Sequence, residues 1–280
     1  MDDSDGSVSE PISAHLADDL MSTTPGGWHK FYDQLSRRFA AVGLAKVSHF
    51  LNYGYAATDS GNDSTAVIRD GTFNANSVRL VFELIGSLDL NDRAIIDIGC
   101  GRGGTAALVA ETFNAQVTGI DRSSEAIAFC RSTHLNPSLR FEVGDALNLP
   151  LDNESCDVVM NVESSHSYSN LGKFLGEVRR ISRPGAWFLH TDLLGSYEWD
   201  QIRTRLKALD FSIENERDIT ANVIASRNQA VGDWDRIYGD TGPRVANFLA
   251  LPGSVVYEQL RAGILEYKIM RSRLQTPGAE

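Results

Sequence analysis

A glycine-rich loop in the first half of the chain, residues 95–104, has the spacing that a nucleotide cofactor requires. Two overlapping patterns fit it: G-x-G-x-x-G with Gly99, Gly101 and Gly104, and D-x-G-x-G-x-G with Asp97, Gly99, Gly101 and Gly103. Glycines at a strand-to-helix turn let the backbone approach a ligand closely, and the start of the following helix offers N–H groups to an anion. Because a pyrophosphate and a small carboxylate would both suit, the loop alone does not separate the two patterns.

Three aspartates at the ends of successive expected strands favour the second pattern. Asp97 precedes the first glycine by two residues, where a carboxylate suits a ligand with an ammonium group and crowds a pyrophosphate. Asp121 ends the next strand, where an acid can accept both hydroxyls of a ribose. Asp145 follows the third strand and could bind an adenine amino group, while Ala146 supplies a backbone N–H. Each acid alone is more often a cap or loop residue, but the three together predict an adenosine-containing ligand.

A histidine and two acids lie at the ends of the next two expected strands. His166 follows the fourth strand, and a histidine pKa of ~6.5 suits proton removal at neutral pH. Glu163 and Asp192 are candidates to orient its imidazole; the alternatives are structural support for Glu163 and a helix N-cap for Asp192. His190 alternates with Asp192 on a strand expected to be buried, so we expect it to be structural. We expect the same of the histidines outside the strand ends, which are His15, His29, His49 and His134.

Short apolar runs alternate with helical patterns from residue 92 onwards and would position these groups. The expected strands are 94–99, 115–121, 139–145, 156–163, 186–193, 211–219 and 264–272, and the expected helices are 74–88, 104–113, 123–134 and 171–182. This alternation predicts a parallel sheet covered on both faces, with ligands at the carboxyl ends of its strands. Before the last strand lie about forty residues of helical character, which is too long for a tight connection.

The chain is expected to divide into three parts. Residues 1–25 are acidic and Ser-rich, and we expect them to be mobile. Residues 26–90 are expected to form an N-terminal helical arm and lid. Residues 91–280 are expected to form the cofactor-binding core, with a helical cap insertion at about 220–262. An exposed arm of this kind could exchange between the subunits of a homo-oligomer.

The overall composition excludes several classes of partner. The 280 residues carry a formal net charge of −11 at pH 7, so no basic surplus is available for a nucleic-acid backbone. Three scattered cysteines, Cys100, Cys130 and Cys156, argue against a disulfide framework and a zinc cluster, and no acidic cluster for Mg²⁺ stands out. The N-terminus is not a secretory signal, and no run approaches the ~20 apolar residues of a membrane span. We therefore expect a cytoplasmic protein without a metal.

Taken in order, these segments resemble class I S-adenosylmethionine-dependent methyltransferases. The resemblance covers roughly residues 30–272 and rests on IIDIGCGRGG, VTGIDRS, FEVGDALNLPLDNESCDVVMN and EVRRISRPGAWFLHTD. The stretches NVESSHSY, FLNYGYA and DITANVIASRNQAVGDW narrow it to the branch of phthiotriolone-type lipid and polyketide O-methyltransferases. The implied fold is α/β: a Rossmann-like sheet of seven strands, mostly parallel with an antiparallel last strand, an N-terminal helical arm and a helical insertion before the last strand.

The resemblance also implies roles for individual residues. Those that would hold S-adenosylmethionine are Asp97, Gly99, Gly101 and Gly103 at its methionine part, Asp121 with its neighbour Arg122 at the ribose, and Asp145 and Ala146 at the adenine. Asn161 would offer its backbone carbonyl to the methionine amine. Tyr53 and Tyr55 would form a lid whose aromatic faces favour a sulfonium, unless they only pack the arm. The product would be S-adenosylhomocysteine.

Methyl transfer to a hydroxyl or enol oxygen is the leading hypothesis, with His166 as general base. The acceptor would be a lipophilic microbial natural product derived from a polyketide, lipid or peptide. Apolar residues of the insertion would line the acceptor site and so predict a lipophilic acceptor; they are Trp234, Tyr238, Phe248 and Leu251. The alternative is that these residues only bury the insertion against the sheet. The alternatives are methylation of an alkene or aromatic carbon, with carbocation chemistry, and a non-catalytic accessory domain. Dinucleotide oxidoreduction is disfavoured because the loop lies about ninety residues into the chain.

Overall fold

The computed structural model describes residues 49–58, 74–238 and 246–276, and its core is one mixed sheet. The strands are β1 (Ala94–Ile98), β2 (Gln116–Asp121), β3 (Leu139–Val143), β4 (Cys156–Val162), β5 (Ser182–Leu194), β6 (Phe211–Asp218) and β7 (Glu266–Leu274). The helices are α1 (Ala75–Ile85), α2 (Gly104–Thr112), α3 (Ser124–Thr133), α4 (Leu171–Ile181), α5 (Ser196–Ala208), α6 (Thr220–Tyr238) and α7 (Val255–Arg261), and a 3₁₀ turn spans Ser165–Ser167.

The strand order places the ends of β1 and β4 side by side. The strands of this sheet lie in the order β3-β2-β1-β4-β5-β7-β6, and β7 alone runs opposite to the other six. From β1 the chain continues to β2 and β3 on one side of β1, and it then crosses to β4 on the other side. A crevice therefore opens at the carboxyl ends of β1 and β4. The predicted fold class, with its antiparallel last strand, is therefore confirmed.

Both faces of the sheet are covered, as a parallel sheet requires. Successive residues of β1 point to opposite faces, so Ile95 joins one apolar cluster and Ile96 the other. The amphipathic α4 packs Phe174, Val178 and its other apolar residues onto the second cluster. The core therefore lies on both sides of β1 and β4 and fixes their ends rigidly.

The last strand returns to the edge of the sheet at which the site lies. Leu194 at the end of β5 pairs with Glu266 at the start of β7, and Asp218 at the end of β6 pairs with Lys268. The segment between β6 and β7 contains α6 and α7. It therefore leaves and re-enters the sheet at the carboxyl ends of β5 and β6, as the predicted insertion requires.

The sequence patterns missed one helix. The segment between β5 and β6 forms α5, which buries Trp199, Ile202 and Leu206 at helical spacing. Three charged residues, Asp200, Arg203 and Arg205, lie among them and hid the apolar stripe. The expected mobile segment 1–25 and much of the expected helical arm, residues 26–48 and 59–73, lie outside the described residues, and positions 49 and 50 are not helical. In the described ranges, no helix is both long and apolar enough to cross a membrane.

Candidate active site

The glycine loop between β1 and α2 has the backbone conformation that only glycine adopts readily. The φ angles of Gly99, Gly101 and Gly103 are 73°, 52° and 78°, in the left-handed region. A Cβ at Gly99 would lie 2.4 Å from the Ser164 hydroxyl oxygen, whereas a Cβ at Gly101 would have Leu51 as its nearest neighbour, at 3.6 Å. Gly99 therefore requires glycine for its φ angle and because Ser164 and Tyr168, which follow β4, pack against it, whereas Gly101 requires glycine for its φ angle alone and borders open space.

That open space is a cavity of about 240 Å³ at the carboxyl ends of β1, β2 and β4. It brings together most of the residues predicted to hold a cofactor: Asp97, Gly99, Gly101, Asp121, Arg122, Asp145 and Ala146. Residues 49–52 form another wall of the cavity, so His49, which we expected to be structural, is one of its lining residues. Gly103 caps α2 behind the loop instead.

Asp97 is the group that most clearly awaits a ligand. Its side chain is 1% exposed, and neither carboxylate oxygen accepts a hydrogen bond from the described residues. Burial, together with the charge of nearby Asp121, raises the pKa of Asp97 to about 7. A buried carboxylate without a partner is costly, so an ammonium group in the cavity would stabilise it.

The other two aspartates of the cavity are held in place by their own loops. Asp121 accepts N–H groups from Gly101 at 2.9 Å and Ser123 at 2.8 Å. Asp145 accepts the N–H of Leu147 at 2.9 Å. These bonds orient both carboxylates at the cavity, where a carboxylate can accept hydroxyl or amino groups.

Three predicted cofactor residues lie behind the cavity wall. Asn161 is fully buried, and its amide donates to the backbone oxygen of Ile98 at 2.8 Å and to the Ser164 hydroxyl at 2.7 Å. It thereby ties the end of β4 to the end of β1. Tyr53 and Tyr55 are 6% and 5% exposed and belong to the apolar core. Their predicted roles at the cofactor stay predictions.

His166 and Asp192 form a hydrogen-bonded pair across the ends of β4 and β5. Nδ1 of His166 lies 2.7 Å from Oδ1 of Asp192, and the His166 N–H donates to Oδ2 at 3.1 Å. Asp192 is fully buried, while the His166 side chain is 23% exposed. Burial opposes the imidazolium, but the charges of Asp192 and Glu163 outweigh it and raise the pKa of His166. Despite its burial, Asp192 keeps a lowered pKa because of His166.

Glu163 joins this pair to the cofactor cavity. It lines the cavity, and its φ of 50° is a left-handed conformation that is rare outside glycine. Oε2 accepts the Tyr53 N–H at 2.8 Å and the Tyr267 hydroxyl at 2.6 Å. Burial raises the pKa of Glu163 to about 7, although these hydrogen bonds oppose the rise. The three residues predicted to be catalytic are therefore neighbours, as the strand-end argument requires, although His166 and Asp192 do not line the cavity.

Two polar residues of this cluster were not predicted. Tyr267 is the second residue of β7 and donates its hydroxyl to Glu163, 104 positions away in sequence, so nothing local indicated it. Ser165 is one of four serines between positions 164 and 169, and its hydroxyl donates to Oδ2 of Asp192 at 2.6 Å. Among the described residues, no group of three or more histidines, cysteines or acids could hold a metal ion.

Comparisons with known proteins define the class. Residues 96–190 match a family described as "Methyltransferase domain". The fatty-acid O-methyltransferase of Mycolicibacterium smegmatis is 31% identical over 79% of this chain and 81% of its own length. The chain therefore belongs to the S-adenosylmethionine-dependent methyltransferases, and its cofactor is S-adenosylmethionine.

Within that class, the relatives act on lipids according to their names. The phthiotriol/phenolphthiotriol dimycocerosates methyltransferase of Mycobacterium tuberculosis is 31% identical over 89% of this chain and 92% of its own length. Two solved structures share the fold. The cyclase SpnF has a TM-score of 0.69 at 20% identity and covers 91% of this chain and 98% of its own. A geranyl diphosphate methyltransferase has a TM-score of 0.64 at 16% identity and covers 92% of this chain and 99% of its own.

Proposed function

We propose that the chain methylates a hydroxyl or enol oxygen of a lipophilic microbial natural product, with His166 as general base. The observation that carries this proposal is the 2.7 Å contact between Nδ1 of His166 and Oδ1 of Asp192. An ionised carboxylate can only accept, so Nδ1 carries the hydrogen and the lone pair is on Nε2. Asp192 also stabilises the imidazolium that forms when Nε2 takes a proton.

The acceptor's chemistry follows from the presence of this pair. A carboxylic acid is already ionised at neutral pH and needs no base, although one relative is named for fatty acids. An alcohol or enol keeps its proton, and a positioned base typically contributes ~10²–10⁴-fold to the rate of its removal. A histidine held by a buried carboxylate therefore favours a hydroxyl or enol over a carboxylate as the acceptor.

The cavity residues fit the cofactor by their chemistry. Asp97 would pair with the ammonium of the methionine part, beside Gly99, Gly101 and Gly103. Asp121 and Arg122 would hold the ribose, and Asp145 and Ala146 the adenine. When bound, S-adenosylmethionine supplies an electrophilic methyl group on a sulfonium. The chain's own contributions are to align the acceptor, which can be worth ~7–11 kcal/mol, and to accept its proton at His166.

The lipophilic character of the acceptor is supported by the insertion and the relatives. Val223 of α6 and Val256 of α7 are buried in the same apolar cluster as Tyr53, whose N–H binds Glu163 at the cavity, so this part of the insertion packs against the core that backs the site. Phe248 and Leu251 are half-buried, and the side chains of Trp234 and Tyr238 lie outside the described residues. The names of the relatives contain fatty acids and a dimycocerosate lipid.

A product analysis combined with one substitution tests the proposal. The protein would be incubated with methyl-¹³C-labelled cofactor and a panel of hydroxylated, carboxylic and prenylated lipids. We expect the label on oxygen, and we expect His166→Ala to lower turnover ~10²–10⁴-fold with unchanged calorimetric affinity for S-adenosylhomocysteine. Label on carbon, or full turnover of His166→Ala, would overturn it.

Methylation of carbon is the second candidate, and Glu163 is the observation that favours it. Its carboxylate lines the cofactor cavity with a pKa raised by burial to about 7, so it could take a proton from a carbocation formed by methylation of an alkene. A solved structure with the same fold is named geranyl diphosphate C-methyltransferase. In that case Glu163→Gln would lower turnover more than His166→Ala.

A further inference from the structure

Behind the pair of His166 and Asp192 lies a second, fully buried pair. Ser165 and His190 are 1% and 0% exposed, and the Ser165 hydroxyl oxygen lies 2.9 Å from Nε2 of His190. The same oxygen lies 2.6 Å from Oδ2 of Asp192. The four side chains therefore form one connected chain, in the order His190, Ser165, Asp192 and His166.

The donor and the acceptor of each hydrogen bond between these four side chains can be assigned. Asp192 has a lowered pKa and is ionised, so the only hydroxyl proton of Ser165 points to Oδ2. Ser165 must then accept from His190, which places a hydrogen on Nε2 of His190. Nδ1 of His190 has no hydrogen-bond partner in the described part of the chain, as expected for a neutral ring. Burial lowers the pKa of His190 to about 4.

Asp192 thus has a donor for each acceptor position. Oδ2 receives the Ser165 hydroxyl and the His166 N–H, and Oδ1 receives Nδ1 of His166 and the Leu193 N–H at 2.8 Å. Because a carboxylate has about four such positions, its plane cannot turn without breaking a bond. The neutral ring of His190 is itself held by stacking on Phe188, with ring centroids 5.4 Å apart.

We infer that Ser165 and His190 are positioning residues, which fix the orientation and basicity of His166 through Asp192. The expected effect on the reaction rate rests on the proposed function, whereas the expected effect on the pKa of the His166 imidazole does not. Losing the Ser165 donor leaves Asp192 a stronger acceptor for His166. The pKa of His166 should therefore rise, while the looser carboxylate lowers the rate.

The groups that face His166 limit the interpretation of such a shift. Among the described residues, the titratable groups that act on it are Asp192 of β5 and Glu163 at the end of β4. His190 acts on Asp192, with Nε2 4.0 Å from Oδ2. Ser165→Ala removes a donor to Asp192, and a His190 substitution changes the donor to Ser165; neither changes a charge that faces His166.

The test measures the imidazole and the rate separately. Nuclear magnetic resonance of ¹⁵N-histidine-labelled protein would give the pKa of His166 in the parent and in Ser165→Ala, with His166→Ala to assign its signal. We expect a rise of roughly half a unit to one unit and a fall in kcat of about 10- to 100-fold, the size of one lost hydrogen bond to an ionised group. Ser182→Ala is the matched control, since this buried hydroxyl bonds Val178 at the other end of β5.

A pair of His190 variants supplies a second test that does not rely on Ser165. The amide nitrogen of Gln can occupy the place of Nε2 and donate to Ser165, whereas that of Asn corresponds to Nδ1. We expect His190→Gln to retain most of the rate and the parent pKa of His166. His190→Asn should shift both in the same direction as Ser165→Ala but by less, because the Ser165 hydroxyl that donates to Asp192 is still present.

The outcomes test the positioning roles of Ser165 and His190 separately from the role of His166 as general base. An unchanged pKa of His166 in Ser165→Ala, or equal behaviour of the His190 variants, overturns the positioning roles. If the pKa shifts as expected while His166→Ala keeps full turnover, the positioning roles stand and His166 is not the base.

Discussion

Asp97 and Asp192 are both buried aspartates at the carboxyl edge of one sheet, yet their surroundings are opposite. Asp97, on β1, is 1% exposed and accepts no hydrogen bond from the described residues. Asp192, on β5, is fully buried and receives four donors. Burial raises the pKa of Asp97 to about 7, whereas His166 and the hydrogen bonds around Asp192 lower the pKa of Asp192 despite burial.

The difference separates two ways in which a buried acid can serve a site. The charge of Asp97 is uncompensated by the protein, so it suits a ligand that brings a positive group. The charge of Asp192 is compensated by donors of the protein itself, so this carboxylate suits a permanent role in orienting a neighbouring side chain and raising its pKa. Removing the charge should therefore have opposite effects on the stability of the two regions.

The largest effect is expected for Asp192→Asn. The imidazole loses its charged partner, so kcat/KM should fall by ~10²–10⁴-fold. The acid limb of the pH profile should move to lower pH, because burial alone lowers the pKa of His166. Stopped assays across pH and calorimetry with S-adenosylhomocysteine measure these quantities, and cofactor affinity should be retained. An unchanged acid limb would contradict the assignment.

Asp97→Asn should weaken S-adenosylhomocysteine binding by about 100-fold, the order of a lost buried ion pair. In the cofactor-free protein at pH 8 the same change should raise the melting temperature, since a buried carboxylate without a partner disappears, whereas Asp192→Asn should lower it. Asp157→Asn is the matched control: this aspartate accepts the N–H of Ala94 at the opposite end of β1. A lower melting temperature for Asp97→Asn would contradict the expected difference in stability between the Asp97 and Asp192 regions.

The cofactor affinity of the parent should depend on pH through Asp97. Its pKa of about 7 in the cofactor-free protein would fall when an ammonium pairs with it, so binding below pH 7 must release a proton. Affinity should therefore drop by up to about tenfold per pH unit below 7 and stay flat above it. The slope should vanish in Asp97→Asn and persist in Glu163→Gln. The reverse would assign the proton to Glu163.

The smallest effect is expected for Tyr267→Phe. Its hydroxyl lowers the pKa of Glu163, so removing it should leave Glu163 more often neutral and lower kcat/KM by about fivefold, the equivalent of one hydrogen bond of ~1 kcal/mol. Tyr257→Phe is the control, since that hydroxyl donates to Asn228 in the insertion. Equal losses in the two variants would mean that Tyr267 only stabilises the fold.

The sequence indicated Asp97 through the glycine-rich motif and Asp192 through its position at the end of a strand. It did not indicate the hydrogen-bond donors that distinguish the two aspartates. Periodicity located the strands because most of them read as short apolar runs, and the expected parallel direction then placed the acids at one edge of the sheet. It could not find the donors around Asp192, since Ser165 is indistinguishable from neighbouring serines. Nor could it find Tyr267, which pairs with Glu163 through a contact that exists only after β7 has returned beside β5.

The reversed direction of β7 has a consequence for how acceptor specificity could diversify. Both attachment points of the segment between β6 and β7 lie at the same edge of the sheet, at Asp218 and Glu266. That segment can therefore be lengthened, shortened or exchanged without altering strand register, as long as α6 keeps its hydrogen bonds to Tyr53 and Ala56. A parallel last strand would have tied its start to the opposite edge, and each such exchange would have had to cross the sheet again.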